Sequence, residues 1–279
     1  MLEIQGAEMG KFDGKVALIT GAGRMRGIGH GAAIAFAREG AHVAITGTGR
    51  DPQSFPPDEK AAGWKDIESV AQEVRNLRPG ALPLVTDVTN SGQVQAMVDR
   101  TLAEFGRIDF LVNNASAPRL SAWAPLVELS EEAWRKEFEV KVTGMFLCTK
   151  AVAQVLIRQG QGGSIVNLGS IAARIGRVND VAYATACGAV DTFTQRAGKA
   201  LAPHGIRVNA VNPGTTDTAR NDVQYGYPRS QEWTDRVEAV PLGRAAEPEE
   251  VGDFIAWLCS KEAEFIVGQC IYIDGGLSV

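Results

Sequence analysis

The sequence predicts a doubly wound α/β fold, in which a parallel sheet of about seven strands carries helices on both faces. Apolar runs of strand length alternate with helix-length amphipathic segments from Lys15 to the C-terminus. The strand-length runs are rich in valine and isoleucine, as is typical of strands buried on both faces. Because no linker or internal repeat interrupts the alternation, residues 12–279 are predicted to form one domain behind a flexible N-terminal arm, residues 1–11.

Each predicted strand is followed by a predicted helix or a long loop. The strands are expected at 15–20, 42–46, 82–86, 108–113, 164–169, 206–211 and 270–274. The helices are expected near 28–39, 66–77, 91–105, 130–159, 181–202 and 248–260. Two connections, 47–64 and 215–244, are longer than usual, and loops of that length in a compact domain are often lids or binding loops. We expect 215–244 to be a substrate lid.

The composition excludes several classes of partner. The chain has 279 residues with a formal net charge of -5 and mixed signs along its length, which gives no basic stripe for nucleic acid and no polybasic membrane segment. No run of about 18 apolar residues and no signal peptide are visible. The four cysteines are widely spaced and fit neither a metal site nor a disulfide framework. A small-molecule partner and a reduced, cytoplasmic location are therefore expected.

A glycine-rich turn, "TGAGRMRGIGHGAA" (20–33), follows the first predicted strand and opens the first predicted helix. Such a turn lets the backbone approach a pyrophosphate, and the helix start offers free N–H groups to it. The same residues also fit a tight turn without a ligand. The position between strand and helix, at the start of an alternating α/β pattern, favours dinucleotide binding.

Five ordered motifs resemble the short-chain dehydrogenase/reductase family over residues 12–277. The glycine turn is similar to the family pattern TGxxxGxG, but it is two residues longer when counted from Gly21. Counted from Gly23, the glycine spacing matches and the threonine does not. The other motifs are "DVT" (87–89), "NNAS" (113–116), "NPGTTDT" (212–218) and "YIDGG" (272–276). The resemblance implies a Rossmann-type fold, a nicotinamide cofactor, a ketone or alcohol substrate, and a homotetramer or homodimer packed through two long helices.

The resemblance also implies which residues bind the cofactor. They are Gly21, Gly23, Arg24, Arg26, Gly27, Ile28, Gly29, Gly47, Thr48, Arg50, Asp87, Val88, Asn114, Ala115, Ser116, Tyr183, Pro213, Gly214, Thr216 and Thr218. A carboxylate at the end of the second strand would bind the adenosine ribose and repel a 2′-phosphate, but Gly47 stands there. Three arginines near in sequence, Arg24, Arg26 and Arg50, are suited to binding a phosphate, so NADP(H) is favoured over NAD(H). The alternative is that these arginines are solvated and Thr48 accommodates NAD.

The catalytic residues implied by the resemblance are incomplete. Ser170 matches the serine that polarises the substrate oxygen, and Tyr183 matches the tyrosine that exchanges its proton. The family's lysine, four residues after the tyrosine, is replaced by Cys187, and its asparagine is replaced by Lys141. A free tyrosine titrates near pH 10, and an ammonium about 4 Å away is worth about 4 kcal/mol at an effective dielectric of about 20. Cysteine cannot supply that charge.

We hypothesise that Lys141 delivers the missing positive charge to Tyr183 from the opposite side. The alternative is that Lys141 is a helix-surface lysine and Cys187 a small buried filler. Two further alternatives concern Cys187. It is either a nucleophile activated by a nearby ammonium or a residue engineered to disable the enzyme. The sequence leaves these alternatives open.

Three functions remain for the whole chain. The first is an NADP(H)-dependent oxidoreductase that interconverts a ketone and a secondary alcohol. The second is a cofactor-binding sensor or scaffold with little redox turnover, and the third is a non-redox elimination or dehalogenation on the same fold. Candidate substrate contacts, each of which also fits ordinary packing, are the aromatic residues Trp123, Tyr225, Tyr227 and Trp233 and the carboxylate-binding Arg119, Arg174 and Arg177.

Overall fold

A computed structural model describes residues 10–78, 80–118, 123–226 and 229–279. Within these ranges all the sheet pairings are parallel, in the order β3-β2-β1-β4-β5-β6-β7. The strands are β1 (Val16–Ile19), β2 (His42–Gly47), β3 (Ala81–Val85), β4 (Phe110–Asn113), β5 (Gly163–Leu168), β6 (Ile206–Pro213) and β7 (Cys270–Ile273). The predicted doubly wound parallel sheet is confirmed, and the strand order reverses between β1 and β4.

Helices cover both faces of this sheet. They are α1 (Ile28–Arg38), α2 (Pro57–Ala61), α3 (Ile67–Leu77), α4 (Ser91–Phe105), α5 (Glu131–Phe138), α6 (Met145–Gln159), α7 (Val181–Leu201), α8 (Ala219–Tyr225), α9 (Gln231–Glu238) and α10 (Pro248–Cys259). Helices α1, α3 and α10 share one apolar core with the sheet, and α4, α6 and α7 share the core on the other face. Strand residues alternate between the two cores, as Ile19 and Leu18 of β1 do.

The two long connections contain short helices that the sequence analysis assigned to loops. The 47–64 connection includes α2, and the 215–244 connection includes α8 and α9. Each of these helices has between five and eight residues, too few to show a clear hydrophobic period. They place charged side chains over the carboxyl edge of the sheet, where ligands of open α/β sheets bind.

Helices α5 and α6 are joined by one π-helical segment, Glu139–Gly144, which makes Glu131–Gln159 a continuous helical run. By length and composition this run is long and apolar enough to cross a membrane, although it contains no unbroken stretch of about 18 apolar residues. Its apolar side chains Cys148, Val152 and Leu156 instead pack into the core beneath β4 and β5. A π segment inside an α-helix often marks a functional site, and this one carries Lys141.

Candidate active site

Tyr183 lies where two cavities meet at the carboxyl edge of the sheet. The larger cavity, of ≈ 370 Å³, is lined by Ser170 and by residues of the 215–244 segment. The smaller, of ≈ 150 Å³, is lined by the glycine turn, Asn114 and Lys141. Tyr183 borders both cavities from the first turn of α7. The structure therefore brings the predicted serine, tyrosine and lysine to one place.

Ser170 follows the end of β5 and begins a short 3₁₀ turn, Ile171–Ala173. Its Oγ accepts a hydrogen bond from the Ala172 backbone N–H at 3.2 Å, which fixes the side chain at the cavity wall. A serine at the start of a helical turn is locally favoured because its oxygen caps a free N–H. The hydroxyl hydrogen remains available to donate to a ligand oxygen in the larger cavity.

Lys141 is buried rather than on the helix surface, with only 4% of its surface exposed. Its Nζ donates a hydrogen bond to the Leu168 carbonyl oxygen at 2.9 Å, and it lies 5.3 Å from the centroid of the Tyr183 ring. The interpretation of Lys141 as a surface lysine is therefore wrong. Its ammonium reaches the tyrosine from the π segment, which is the geometry that the relocation hypothesis requires.

Cys187 lies one helical turn after Tyr183 and is fully buried against it and Ala172. Burial raises the pKa of the Cys187 thiol, and the nearby positive charges of Lys141 and Arg220 offset this only in part. The thiol is therefore neutral and shielded from solvent, which contradicts its assignment as a catalytic nucleophile. Cys187 therefore contributes no charge to the site.

A second cation beside Tyr183 comes from Arg220, which the sequence analysis missed. The Arg220 guanidinium carbon lies 4.7 Å from the centroid of the Tyr183 ring, and its Nη2 donates to the Ala117 carbonyl oxygen at 3.2 Å. Burial lowers the pKa of Arg220, but the charges of Tyr183 and Glu137, with a hydrogen bond to Tyr183, raise it above its ordinary value overall. Arg220 is thus a permanent positive charge in contact with the phenol.

Glu137 completes this cluster from α5. Its carboxylate is 1% exposed and stands one helical turn before Lys141. With a neutral tyrosine the cluster of Lys141, Arg220 and Glu137 carries two positive charges and one negative charge. A tyrosinate makes the whole cluster neutral.

The glycine turn is tied to the end of β4 at its start, through Thr20 and Gly21. Thr20 Oγ1 accepts hydrogen bonds from the backbone N–H groups of Asn114 and Ala115 and so ties the turn to the end of β4. Gly21 has φ of 67°, a conformation that favours glycine. Which of the two ways of counting matches the family pattern stays a prediction.

Comparison with known proteins shows to which family the chain belongs. Residues 21–278 match the family profile described as enoyl-(acyl carrier protein) reductase. The chain is 38% identical to cis-4-hydroxycyclohexanecarboxylate dehydrogenase of Sinomonas cyclohexanicum, over 95% of this chain and 97% of that protein. It is 35% identical to sorbitol dehydrogenase of Cereibacter sphaeroides, over 95% and 98% of the two chains. The chain belongs to the short-chain dehydrogenase/reductase family.

A solved structure of the family shows the same fold with a cofactor bound. This is 7α-hydroxysteroid dehydrogenase with NADH and 7-oxo glycochenodeoxycholic acid, which is 28% identical and superposes with a TM-score of 0.81 over 95% of this chain and 94% of that one. The family membership makes the present chain an oxidoreductase that acts between alcohols and ketones with a nicotinamide cofactor.

The smaller cavity fits such a cofactor. Ser116 Oγ is buried there and has no hydrogen-bond partner among the described residues, so it is available to a ligand. The predicted cofactor residues that line one or both cavities are Gly21, Arg24, Arg26, Gly27, Ile28, Gly29, Asn114, Ser116, Tyr183, Pro213, Gly214, Thr216 and Thr218. The others (Gly23, Gly47, Thr48, Arg50, Asp87, Val88 and Ala115) lie outside the lining of these two cavities.

A carboxylate does lie at the end of β2, contrary to the sequence analysis. It belongs to Asp66, which immediately precedes α3 and whose carboxylate lies beside Gly23 and Gly47. A Cβ atom on Gly23 would lie 1.9 Å from Asp66 Oδ1, and one on Gly47 would lie 3.6 Å from Oδ2. The acid comes from the next helix instead of from β2 itself, so strand-end spacing did not reveal it.

The sequence analysis expected Arg50 and Arg26 to bind a phosphate, but in the structure both are paired with carboxylates. Arg50 donates to Asp66 and to Glu59, each at 2.8 Å, and also to the Gly23 carbonyl oxygen. Arg26 bonds three carboxylates, those of Asp58, Asp217 and Asp222. Arg26 thereby joins the glycine turn to α2 and to the 215–226 part of the lid. Arg24 borders the smaller cavity, where burial lowers its pKa.

The predicted substrate contacts are only partly supported. Tyr225 and Trp233 are buried against each other inside the lid, with ring centroids 5.4 Å apart, and neither lines the larger cavity. Arg174 points away from the cavity toward the Tyr272 ring. Arg177 does line the cavity, and it lies 5.9 Å from the Trp123 ring centroid. Arg119 and Tyr227 lie outside the described residues.

Proposed function

We propose that the chain reversibly reduces a ketone to a secondary alcohol with a catalytic tyrosine that is supported by relocated positive charge. The observation that carries this proposal is the placement of the Lys141 ammonium and the Arg220 guanidinium over the Tyr183 ring, at 5.3 and 4.7 Å from its centroid. Both groups act where the family's usual lysine is absent. The alternative of a sensor without turnover loses its main support, because the charge is still present.

In the direction of reduction, a bound nicotinamide supplies the hydride, and the protein handles the oxygen and the proton. Ser170 Oγ donates a hydrogen bond to the carbonyl oxygen in the larger cavity. Tyr183 gives its phenolic proton to the same oxygen, which becomes the alcohol hydroxyl. The phenolate left behind is stabilised by Lys141 and Arg220 until it regains a proton from water.

Turnover is tested by mixing the protein with reduced cofactor and a panel of cyclic and linear ketones in a stopped-flow fluorimeter. We expect cofactor oxidation with at least one ketone, and loss of this oxidation in Tyr183→Phe with cofactor binding retained. Ser170→Ala is the matched variant for the substrate oxygen. Tight cofactor binding with no oxidation on the whole panel would instead identify the sensor.

For the cofactor, we propose NAD(H) rather than the NADP(H) that the sequence favours. The cluster of Arg50, Asp66 and Glu59 has one positive and two negative charges, so it repels a 2′-phosphate instead of binding it. Glu59 is fully buried, and Asp66 adopts a φ of 54°, the one positive φ among the described residues other than glycine. A strained backbone conformation of this kind costs about 1–3 kcal/mol and is often retained for function.

Cofactor preference is measured by the fluorescence titration of NADH and NADPH. We expect the unmodified protein to bind NADH at least about 10-fold more tightly, since 1.4 kcal/mol of repulsion gives that factor. Glu59→Gln with Asp66→Asn releases Arg50 and should move the ratio about 10-fold toward NADPH. Asp58→Asn is the control, because Asp58 pairs with Arg26 and not with Arg50. Equal or tighter binding of NADPH by the unmodified protein would refute the proposal.

The expected homotetramer or homodimer stays a prediction, as does the cytoplasmic location. Partly exposed apolar residues on α6, Phe146 at 43% and Ile157 at 41%, support an interface through this helix. Helix α6 is one of the two long helices through which the family resemblance implies packing.

A further inference from the structure

We propose that the substrate carries a carboxylate, and that Arg177 and Arg236 bind it in the larger cavity. This inference rests on the proposed function, because it names the class of alcohol or ketone that the same site accepts. The substrate would be a hydroxy acid or an oxo acid, with its reacting oxygen at Ser170 and Tyr183 and its carboxylate toward the lid. Oxidation converts the hydroxy acid and NAD⁺ into the oxo acid, NADH and a proton.

The first observation is the charge of the cavity lining. Three guanidinium groups, those of Arg177, Arg220 and Arg236, and one carboxylate, Asp180, line the same ≈ 370 Å³ cavity as the reacting residues. A neutral ketone gains little from such a surplus of positive charge, and arginine is particularly suited to binding a carboxylate through two parallel hydrogen bonds. Arg220 is already in contact with Tyr183, so Arg177 and Arg236 are the two that face the rest of the substrate.

The second observation is that these two arginines come from different elements and lie beside the same tyrosine ring. Arg177 lies in the loop after β5, and Arg236 lies on α9 of the lid. Their guanidinium carbons are 5.8 and 6.0 Å from the centroid of the Tyr225 ring. Tyr225 is 1% exposed and packs against Trp233, so it gives both arginines a fixed neighbour. A carboxylate between them would also connect the lid to the body of the protein.

The third observation concerns the present partner of Arg177. Its Nη1 is 3.4 Å from Glu232, whose side chain is 61% exposed. An exposed ion pair of this length contributes little free energy, because water screens both charges. A substrate carboxylate inside the cavity can therefore replace Glu232 at low cost.

The test uses non-reacting acids and their amides, so it does not depend on turnover. Cyclohexanecarboxylate, benzoate and hexanoate are each compared with the matching amide as ligands of the protein saturated with NADH, by isothermal titration calorimetry. We expect at least one acid to bind about 10- to 100-fold more tightly than its amide, the range of charge-assisted hydrogen bonds. Arg177→Gln and Arg236→Gln should each reduce that ratio about 10-fold.

Arg174→Gln is the matched control, since Arg174 precedes Arg177 in the same loop but lies against Tyr272 outside the cavity. It should leave the ratio of acid to amide unchanged. Equal binding of every acid and its amide, absence of binding by all six compounds, or unchanged ratios in both cavity variants would overturn the inference. If acids bind selectively and no hydroxy acid is oxidised, the proposed function fails while the carboxylate site stands.

Discussion

Replacing Lys141 by asparagine should lower kcat at pH 7 by about 100-fold, with cofactor affinity changed by less than about threefold. The ammonium lies 5.3 Å from the Tyr183 ring centroid. Two unit charges about 5 Å apart interact by about 3 kcal/mol at an effective dielectric of about 20, and an effect of that size on the phenolate corresponds to about two orders of magnitude in rate. The measurement is steady-state cofactor oxidation with the best ketone of the panel, on protein whose melting temperature has been checked.

A second substitution decides whether the charge itself is what matters. Lys141→Asn together with Cys187→Lys restores the family's own arrangement, and we expect it to regain most of the lost kcat. Cys187→Ala alone should stay within about threefold of the unmodified protein, because a neutral buried thiol contributes no charge to the reaction. Full activity in Lys141→Asn would show that the ammonium has no catalytic role. If the double variant is folded but stays as slow as Lys141→Asn, the loss of kcat comes from changed packing around Tyr183 and not from the lost charge.

Replacing Arg220 by methionine should also lower kcat by about 100-fold, because a guanidinium 4.7 Å from the ring centroid is lost from the same cluster. Arg220→Lys keeps the charge on a different stem and should recover about 10-fold of this loss. Methionine preserves the apolar stem that covers the Tyr183 ring, so the comparison isolates the charge. Substrate KM should change less than kcat, since the interaction strengthens as the phenolate forms.

Arg220 lies on the lid, so its effect must be separated from lid closure. Arg26→Gln removes the ion pairs that tie the glycine turn to Asp217 and Asp222 of the lid without touching Tyr183. We expect it to raise KM for substrate about 10-fold and to leave kcat within about threefold, because it weakens closure and not proton transfer. If Arg220→Met and Arg26→Gln have the same kinetic signature, Arg220 acts only by holding the lid.

Two features that looked unrelated in the sequence form one unit in the structure. The glycine turn contacts the long 47–64 connection. Met25 N donates to Glu59, Arg26 pairs with Asp58, and the Trp64 indole N–H donates to the Gly23 carbonyl oxygen at 2.7 Å. Residues 23–26 of the glycine turn thus supply hydrogen-bond and ion-pair partners for the 47–64 connection. Asp66, which follows that connection, then places its carboxylate beside Gly23 and Gly47.

The sequence by itself determined the sheet, because each buried strand and each long helix carries a local pattern of apolar residues that recurs with a fixed period. It also predicted that Lys141 and Cys187 stand in place of the family's asparagine and lysine, since both positions lie at fixed spacings from recognisable motifs. Only the tertiary structure decided that Lys141 is buried against Tyr183, that Arg220 joins it, and that Asp66 stands beside Gly47. Each of these contacts is made by a single side chain, either on the π-helical segment or on a segment distant in sequence. A periodic pattern of apolar residues does not predict contacts of this kind. Only the tertiary fold brings these charged side chains together.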